Sequence, residues 1–375
     1  MSKVKAVFDV APLLENNWTG ISNVIGAIAE KAIADDRIDW TFCYEILPLP
    51  RSLIEKLLGD QSGAHSGGLF HDAAINGRSL DFLQAREYVA VFPHVKPVRR
   101  YFRKEALVVH DLSPLLTPSY HNQDNIDHFA NRIRHDIESS DHYFCVSEAT
   151  RGDVELYFQC PRDKTSVIRL GTSFDPCDLS LALDGARRGI TVEPYVVVLG
   201  TLEPRKNAAI VLEFLLENPQ FGRDYKFIFI GRDGWLDEKG RLLRLLVENG
   251  IPTEQVVFTG FVPPEQRAIL LANCAFCIYP SFFEGFGLPI LEAATLNKFT
   301  VCSNASSMPE VAPDRSIFFD PNSLDEFSEA MYIAHRCALI GRLSRTTLAD
   351  TLRRGREASW DQCYGEIARW VLETA

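Results

Sequence analysis

Along the chain, short runs rich in β-branched and aromatic residues alternate with longer stretches whose apolar positions recur every three or four residues. In the first half the runs are "KAVFDV", "YVAVFP", "ALVVHD" and "HYFCVS", and the helical stretch "GISNVIGAIAEKAIAD" begins at Gly20. A second series opens with "YVVVLG" and continues through "KFIFIG", "VVFTGF", "AFCIYPS" and "FTVCSN". Its intervening helices include "NAAIVLEFLLEN" and "DEKGRLLRLLVENG". Between the two series, "GTSFDPCDLSLALDGARRGITVEP" has no period and reads as a linker, with the boundary near residues 176–193. Strands that alternate with helices bury both faces of a parallel sheet, so the pattern predicts an α/β protein with two doubly wound, Rossmann-like domains. Their bounds are residues 1–178 and 190–355, and the amphipathic stretch 356–375 forms a closing helix. Sheets of this kind bind ligands beyond the carboxyl ends of their strands, so the chemistry should lie just after each run.

Composition narrows the class. The chain has 375 residues, 46% of them hydrophobic, which is ample for a core in each half. A net charge of −11 argues against a broad grip on nucleic acid. No apolar run approaches the roughly 20 residues needed to cross a bilayer. The opening "MSKVKAVFDVAPLL" lacks the apolar stretch and cleavage site of a secretory leader. Nine cysteines, an odd number in apolar contexts such as "TFCYEI", fit reduced core thiols in a cytoplasmic protein. Cys274 and Cys277 have CxxC spacing, but "CAFCIYPS" reads as a buried strand with no second pair, so no metal site is expected there.

Three constellations follow strands. In "SFFEGFGLPILEA", Gly285 and Gly287 permit a tight turn and Pro289 suits the first helical position. The amides of Phe286, Gly287 and Leu288 would then form an anion-binding helix start. Glu284 before the turn and Glu292 one helical turn inside can each accept from hydroxyls. An anion flanked by two hydroxyl-rich groups describes a nucleoside diphosphate sugar; the bland alternative is a capping Glu284 and a solvated Glu292. In "VVVLGTLEPRKNAAIVLEFL", Arg205 and Lys206 sit at a turn before Asn207, a candidate N-cap. They read either as a diphosphate clamp or as an exposed basic turn. No GxxxxGK[ST] or GxGxxG element is present, which weakens P-loop, nicotinamide and flavin readings. In "ALVVHDLSPLLTPSYH", His110 stands at a strand end, placed to hydrogen-bond a sugar hydroxyl or to serve the fold.

With these in place, the sequence resembles the retaining glycosyltransferases of the GT-B fold, specifically family 4. Its elements here are "NNWTGISNV", "VVHDLSPLLTP", "CVSEATRGDV", "VIRLGTSFD", "VLGTLEPRKN", "FIGRDGW", "FTGFVPPEQ", "YPSFFEGFGLPILEA" and "SNASSMPEVA", in order along nearly the whole chain. The resemblance implies two facing Rossmann-like domains with an interdomain cleft, acceptor bound by the first and donor by the second. Position by position, Glu284 would hold the donor sugar and Glu292 the ribose. Gly285, Phe286, Gly287 and Leu288 would contact the diphosphate and sugar through amides. Lys206 and Arg205 would neutralise the leaving phosphate, Phe261 and Val262 would meet the nucleobase, Gly20 would bring its amide to the phosphate, and His110 would support the transferring sugar. One departure stands out: many members carry an arginine after the strand glycine, where this chain has Thr201 after Gly200.

The implied activity is transfer of a hexose from a nucleoside diphosphate sugar to a saccharide or lipid-linked acceptor, with retention. The similarity leans to bacterial surface polysaccharide or lipopolysaccharide synthesis, with guanosine-diphosphate mannose or a deoxyhexose relative as donor. No cofactor beyond that co-substrate is expected. No Asp-x-Asp element suits a bridging metal, so metal independence is expected. Two alternatives remain open: a sugar-nucleotide epimerase on the same fold, and a non-catalytic nucleotide-sugar-binding subunit. A glycosidase does not suit acids that flank a phosphate-binding turn rather than straddle a bond. Finally, "HVKPVRRYFRKE" gathers Lys96, Arg99, Arg100, Arg103 and Lys104. Residues 96–104 read either as peripheral contact with the inner face of an anionic membrane or as a solvated basic edge.

Overall fold

The computed structural model describes residues 3–14, 20–59, 78–174, 179–180, 193–340 and 348–374. It divides into two compact units. The first holds Met1–Leu112, Asp127–Gly171 and Ser359–Ala375; the second holds Ser113–Ile126 and Thr172–Ala358. The segment Ser113–Ile126, inside the range read as the first domain, thus belongs with the second. Residues 175–178 and 181–192 of the expected linker lie outside the described residues.

The first unit is built on β1 (Val4–Asp9), β2 (Ile38–Tyr44), β3 (Leu47–Pro48), β4 (Val89–Phe92), β5 (Lys104–Val109), β6 (His142–Cys145) and β7 (Thr165–Val167). Their order is β3-β2-β1-β4-β5-β6-β7, parallel throughout except for the β2–β3 pair. The second unit is built on β8 (Tyr195–Leu199), β9 (Lys226–Ile230), β10 (Val256–Gly260), β11 (Cys277–Tyr279), β12 (Thr300–Ser303) and β13 (Ser316–Phe319). Its order is β10-β9-β8-β11-β12-β13, all parallel. In each sheet the strand order reverses once, between β1 and β4 and between β8 and β11. Such switch points open a crevice at the carboxyl ends of the strands.

The central strands are continuous apolar runs because helices cover both faces: β4 and β8 are buried at every position. In the second unit, Phe214, Phe221, Phe227, Phe229 and Phe276 form one cluster with Val196, Val198 and Leu212. The helix Trp360–Thr374 belongs to the first unit. There Trp40 donates its indole N–H to Tyr364 at 3.0 Å and Trp370 stacks on His142 at 5.6 Å.

Of the five cations in residues 96–104, one does not lie at the surface. Lys96 is 1% exposed, ion-paired to Glu105 and hydrogen-bonded to Ser139 and Ser140. Glu105 also accepts from the amides of Arg100, Tyr101 and Phe102, so it folds this segment around itself. Arg99 pairs with Asp136 and Lys104 with Asp141. Arg99, Arg100, Arg103 and Lys104 stay exposed. No helix among the described residues is long and apolar enough to cross a membrane. The eight described cysteines are free thiols, all buried but Cys337; Cys274 and Cys277 have their sulfurs 3.7 Å apart. The ninth, Cys177, lies outside the described residues.

Candidate functional site

Two loops at the switch point of the second sheet carry the charged residues. After β8, Gly200 leads into a single 3₁₀ turn, Pro204–Lys206, with proline at its start. This turn presents Arg205 and Lys206. Asn207 is not an N-cap. It takes the left-handed conformation at φ 52°, closes the 3₁₀ turn, and donates its side-chain amide to the Pro321 carbonyl at 2.9 Å. The following helix starts only at Ala209.

After β11, residues Ser281–Gly287 form the second loop, and the Phe282 amide donates to the Arg205 carbonyl at 2.9 Å, tying the two together. A third loop, after β12, fixes the turn from behind. Ser306 donates to the Glu284 carbonyl at 2.6 Å, and Ser307 donates to the carbonyls of Glu284 and Phe286 at 2.9 and 3.0 Å. Of the two turn glycines only Gly287 is left-handed, at φ 95°, and a Cβ there would meet Ile290 Cδ1 at 3.0 Å. The helix Leu288–Thr295 follows, so Pro289 is its second residue rather than its first. No side-chain oxygen caps it, and backbone amides at such an end favour an anion.

Glu284 is neither a cap nor solvated. One carboxylate oxygen meets Lys206 Nζ at 2.6 Å and accepts from the Tyr279 hydroxyl at 2.9 Å; the other meets Arg205 Nη1 at 3.0 Å. Arg205 also pairs with Glu203 at 2.7 Å and donates to the Phe283 carbonyl at 2.6 Å. Desolvation pushes the Glu284 carboxyl up, but Lys206 and Arg205 more than offset it and hold its pKa at about 2. Burial also raises Glu203, and it raises the Tyr279 phenol so that Tyr279 stays a donor. Glu203 and Glu284 thus face Arg205 and Lys206: two acids and two cations beside an uncapped helix start.

Glu292 belongs to a second cluster. It is 4% exposed and held two-pronged by Arg267, with Nε at 2.7 Å and Nη2 at 2.6 Å. Ser173 donates to the same carboxylate, and Arg267 Nη1 donates to the Val262 carbonyl at 3.1 Å. The Val262 carbonyl is therefore engaged by the protein itself. Phe261 next to it is 57% exposed, and the Arg232 guanidinium lies 4.4 Å from its ring centre.

His110 and Gly20 lie in the first unit. His110 stands just beyond β5 with Nε2 2.7 Å from the Pro93 carbonyl oxygen. A carbonyl only accepts, so Nε2 carries the proton and Nδ1 keeps a lone pair. Burial holds this imidazole below the usual histidine pKa, so it is neutral. Gly20 opens the helix Gly20–Ala34, where an added Cβ would meet nothing within 4 Å. The structure thus gathers Arg205, Lys206 and Glu284 into one cluster and Glu292 with Val262 into another. Sequence reasoning missed Glu203, Tyr279, Ser306, Ser307, Arg267 and Ser173. Only Glu203, an acid beside a basic turn, offered a local signal.

Residues 187–336 match the family model of glycosyl transferases group 1. O-antigen chain mannosyltransferase B of Escherichia coli is 32% identical over 262 residues, 68% of this chain and 66% of that protein. The serotype-specific mannosyltransferase WbdA of Escherichia coli is 28% identical over 234 residues, which is 61% of this chain but only 29% of that protein. The chain therefore spans just under two thirds of the first relative and about a third of the second. Among solved structures, HepE of Anabaena, crystallised with UDP and glucose, superposes with a TM-score of 0.67 at 16% identity, covering 99% of this chain and 100% of that one. WaaG, a glycosyltransferase of lipopolysaccharide biosynthesis, superposes with a TM-score of 0.61 at 13% identity over 98% of both chains. The chain has the GT-B glycosyltransferase fold, and its second unit carries the group 1 glycosyl transferase sequence.

Proposed function

We propose that the protein is a retaining, metal-independent hexosyltransferase of family 4. It moves a mannose-type sugar from a nucleoside diphosphate to a growing surface polysaccharide. The observation that carries this reading is the meeting of Lys206, Arg205 and Glu284 beside the helix start at Leu288, at the switch point of the second sheet. The mannose preference rests on what the two Escherichia coli relatives are named for, and the polysaccharide acceptor on the same names.

The reaction breaks the bond between the anomeric carbon and a phosphate oxygen, leaving a positive sugar ring and a negative diphosphate. Lys206 and the amides of Phe286, Gly287 and Leu288 meet the negative charge; their preorganisation supplies most of the stabilisation. No metal is needed for that task in this reading, and activity should survive chelation by EDTA. Glu284, charged throughout the working pH range, accepts from donor-sugar hydroxyls and keeps Lys206 in place. Neutral His110 offers the Nδ1 lone pair to a sugar hydroxyl or to the developing positive ring. The acceptor hydroxyl attacks on the face the phosphate leaves, and the departing phosphate oxygen takes its proton. Gly20 contributes an amide to phosphate binding. The two relatives are transferases, so the epimerase and silent-subunit alternatives are not favoured.

The test is a calorimetric and thermal-shift panel of GDP, UDP and their mannose and glucose conjugates, followed by transfer assays on a lipid-linked saccharide. One nucleoside diphosphate should bind and raise the melting temperature. Glu284→Gln should then abolish transfer while leaving nucleotide binding within severalfold. Unchanged turnover in that variant, or no binding by any nucleotide, overturns the assignment.

A further inference from the structure

We propose that Arg267 is a positioning residue that makes Glu292 selective for a ribose diol, and that Ser173 occupies the place one ribose hydroxyl takes in the bound state. The inference rests on the donor-site reading above, in which Glu292 holds the ribose, and adds Arg267 and Ser173 to it.

A carboxylate has about four acceptor directions, two on each oxygen. On Glu292, Arg267 fills one on each oxygen through Nη2 at 2.6 Å and Nε at 2.7 Å, and the Ser173 hydroxyl fills a second on Oε1. Among the described residues that leaves one direction on Oε2. A single free direction accepts one hydroxyl, whereas a cis-diol presents two. Ser173 is the partner that can yield, because its hydroxyl also receives Arg267 Nη2 at 3.0 Å and stays hydrogen-bonded after leaving Glu292. A ribose hydroxyl arriving at Oε1 would restore the bond that Ser173 gives up.

Arg267 cannot yield in the same way. Its guanidinium plane grips both oxygens, a geometry that fixes the carboxylate rather than merely attracting it. It also donates to the Val262 carbonyl at 3.1 Å and lies 5.7 Å from the ring centre of Phe174. One side chain thereby joins the loop after β10, the 172–174 segment and the helix that carries Glu292. Glu292 sits buried at 4% exposure, so a carboxylate without this clamp would turn away or stay uncompensated.

The experiment is isothermal titration of GDP, 2′-deoxy-GDP and 3′-deoxy-GDP, with the uridine series in parallel, into the full chain and three variants. Wild type should favour the ribonucleotide by about tenfold or more, the worth of a hydrogen bond to a charged group. Ser173→Ala should tighten ribonucleotide binding and widen that ratio, because the displaced competitor is gone. Arg267→Ala should collapse the ratio towards one, and Arg267→Lys should keep part of it. The idea is overturned if Ser173→Ala weakens GDP binding, if Arg267 variants keep the full ratio, or if wild type does not discriminate. Should Arg267→Ala fail to fold, Arg267→Lys and Ser173→Ala still decide. A wild-type chain that binds no nucleoside diphosphate at all would instead fail the donor-site reading itself.

Discussion

Asp9 and Glu284 are buried to nearly the same degree, at 3% and 5% exposure, and each stands at the carboxyl-end switch point of its own sheet. Their pKa values are shifted in opposite directions. Asp9 ends β1 and accepts backbone amides from Ala11 at 3.1 Å and Glu45 at 3.3 Å, and burial pushes its carboxyl up to about 7. Glu284 has the same burial cost, but Lys206 and Arg205 bring it down to about 2. Burial alone therefore does not say whether a carboxylate is charged; the partner decides. The histidines extend the contrast. His94 and His110, at the ends of β4 and β5, are both held neutral by burial, His94 at about 4. At the strand ends of the first unit burial disfavours charge on Asp9, His94 and His110, while the second unit holds fixed ions there.

Removing a fixed ion should have the largest effect. Lys206→Met should lower kcat/KM by about 10²- to 10³-fold, the usual consequence of losing one preorganised donor to a developing anion. Steady-state kinetics with the preferred donor check this. A loss below about threefold would mean that the cluster is structural and the comparison misplaced.

The two carboxylates give stability effects of opposite sign with pH. Asp9 has a folded pKa of about 7 against a free value of 3.8. Its favourable share is present below the free value and is lost as pH rises through about 7, a cost of up to about 4 kcal/mol. Asp9→Asn keeps the oxygen that accepts both amides. It should raise the melting temperature at pH 8, with the gain fading towards pH 4. Glu284, with a folded pKa of about 2 against 4.5, contributes above the free value and loses that contribution as pH falls towards 2. Glu284→Gln should therefore destabilise at pH 7, and the gap to wild type should close in acid. Calorimetric melts across pH 2–8 test both; an Asp9 gap that does not move between pH 4 and 8, or a Glu284 gap that does not close between pH 4.5 and 2, would sink the contrast.

What could be read from the sequence was what lies along the chain. The strand–turn–helix runs put Glu284, Arg205 and Lys206 in loops just after strands, where the fold has them, because each follows an apolar strand within a few residues. β2, β3, β7 and β13 were missed: β3 has two residues, β7 three and β13 four, and β2 alternates apolar and polar positions over Ile38–Phe42 rather than running apolar. Partners from distant segments left no local trace. Arg267 in "PEQRAILLAN" looks like any solvated helix cation until the fold brings Glu292 to it, 25 residues away. Lys96 failed in the opposite direction, a surface charge by composition that Glu105 draws inside. Asn207 had the composition of an N-cap but a left-handed backbone, since the turn needs a residue tolerant of positive φ there.

The smallest expected effect lies at the edge of the charged site. The loop after β10 was expected to meet the nucleobase through Phe261 and Val262. Arg267 fills one of the two acceptor directions of the Val262 carbonyl, and the exposed Phe261 ring, with Arg232 against it, is the larger free surface of this loop. Stacking on such a face does not read base edges and tolerates any base. A cation against an exposed ring adds only about 0.5–1 kcal/mol. Phe261→Ala should therefore weaken nucleoside diphosphate binding by about two- to fivefold, to the same extent for GDP and UDP, with kcat unchanged. Titration of both nucleotides checks it. A loss confined to one base would show that this loop selects the donor, and base choice would then belong to Phe261 rather than to contacts elsewhere in the second unit.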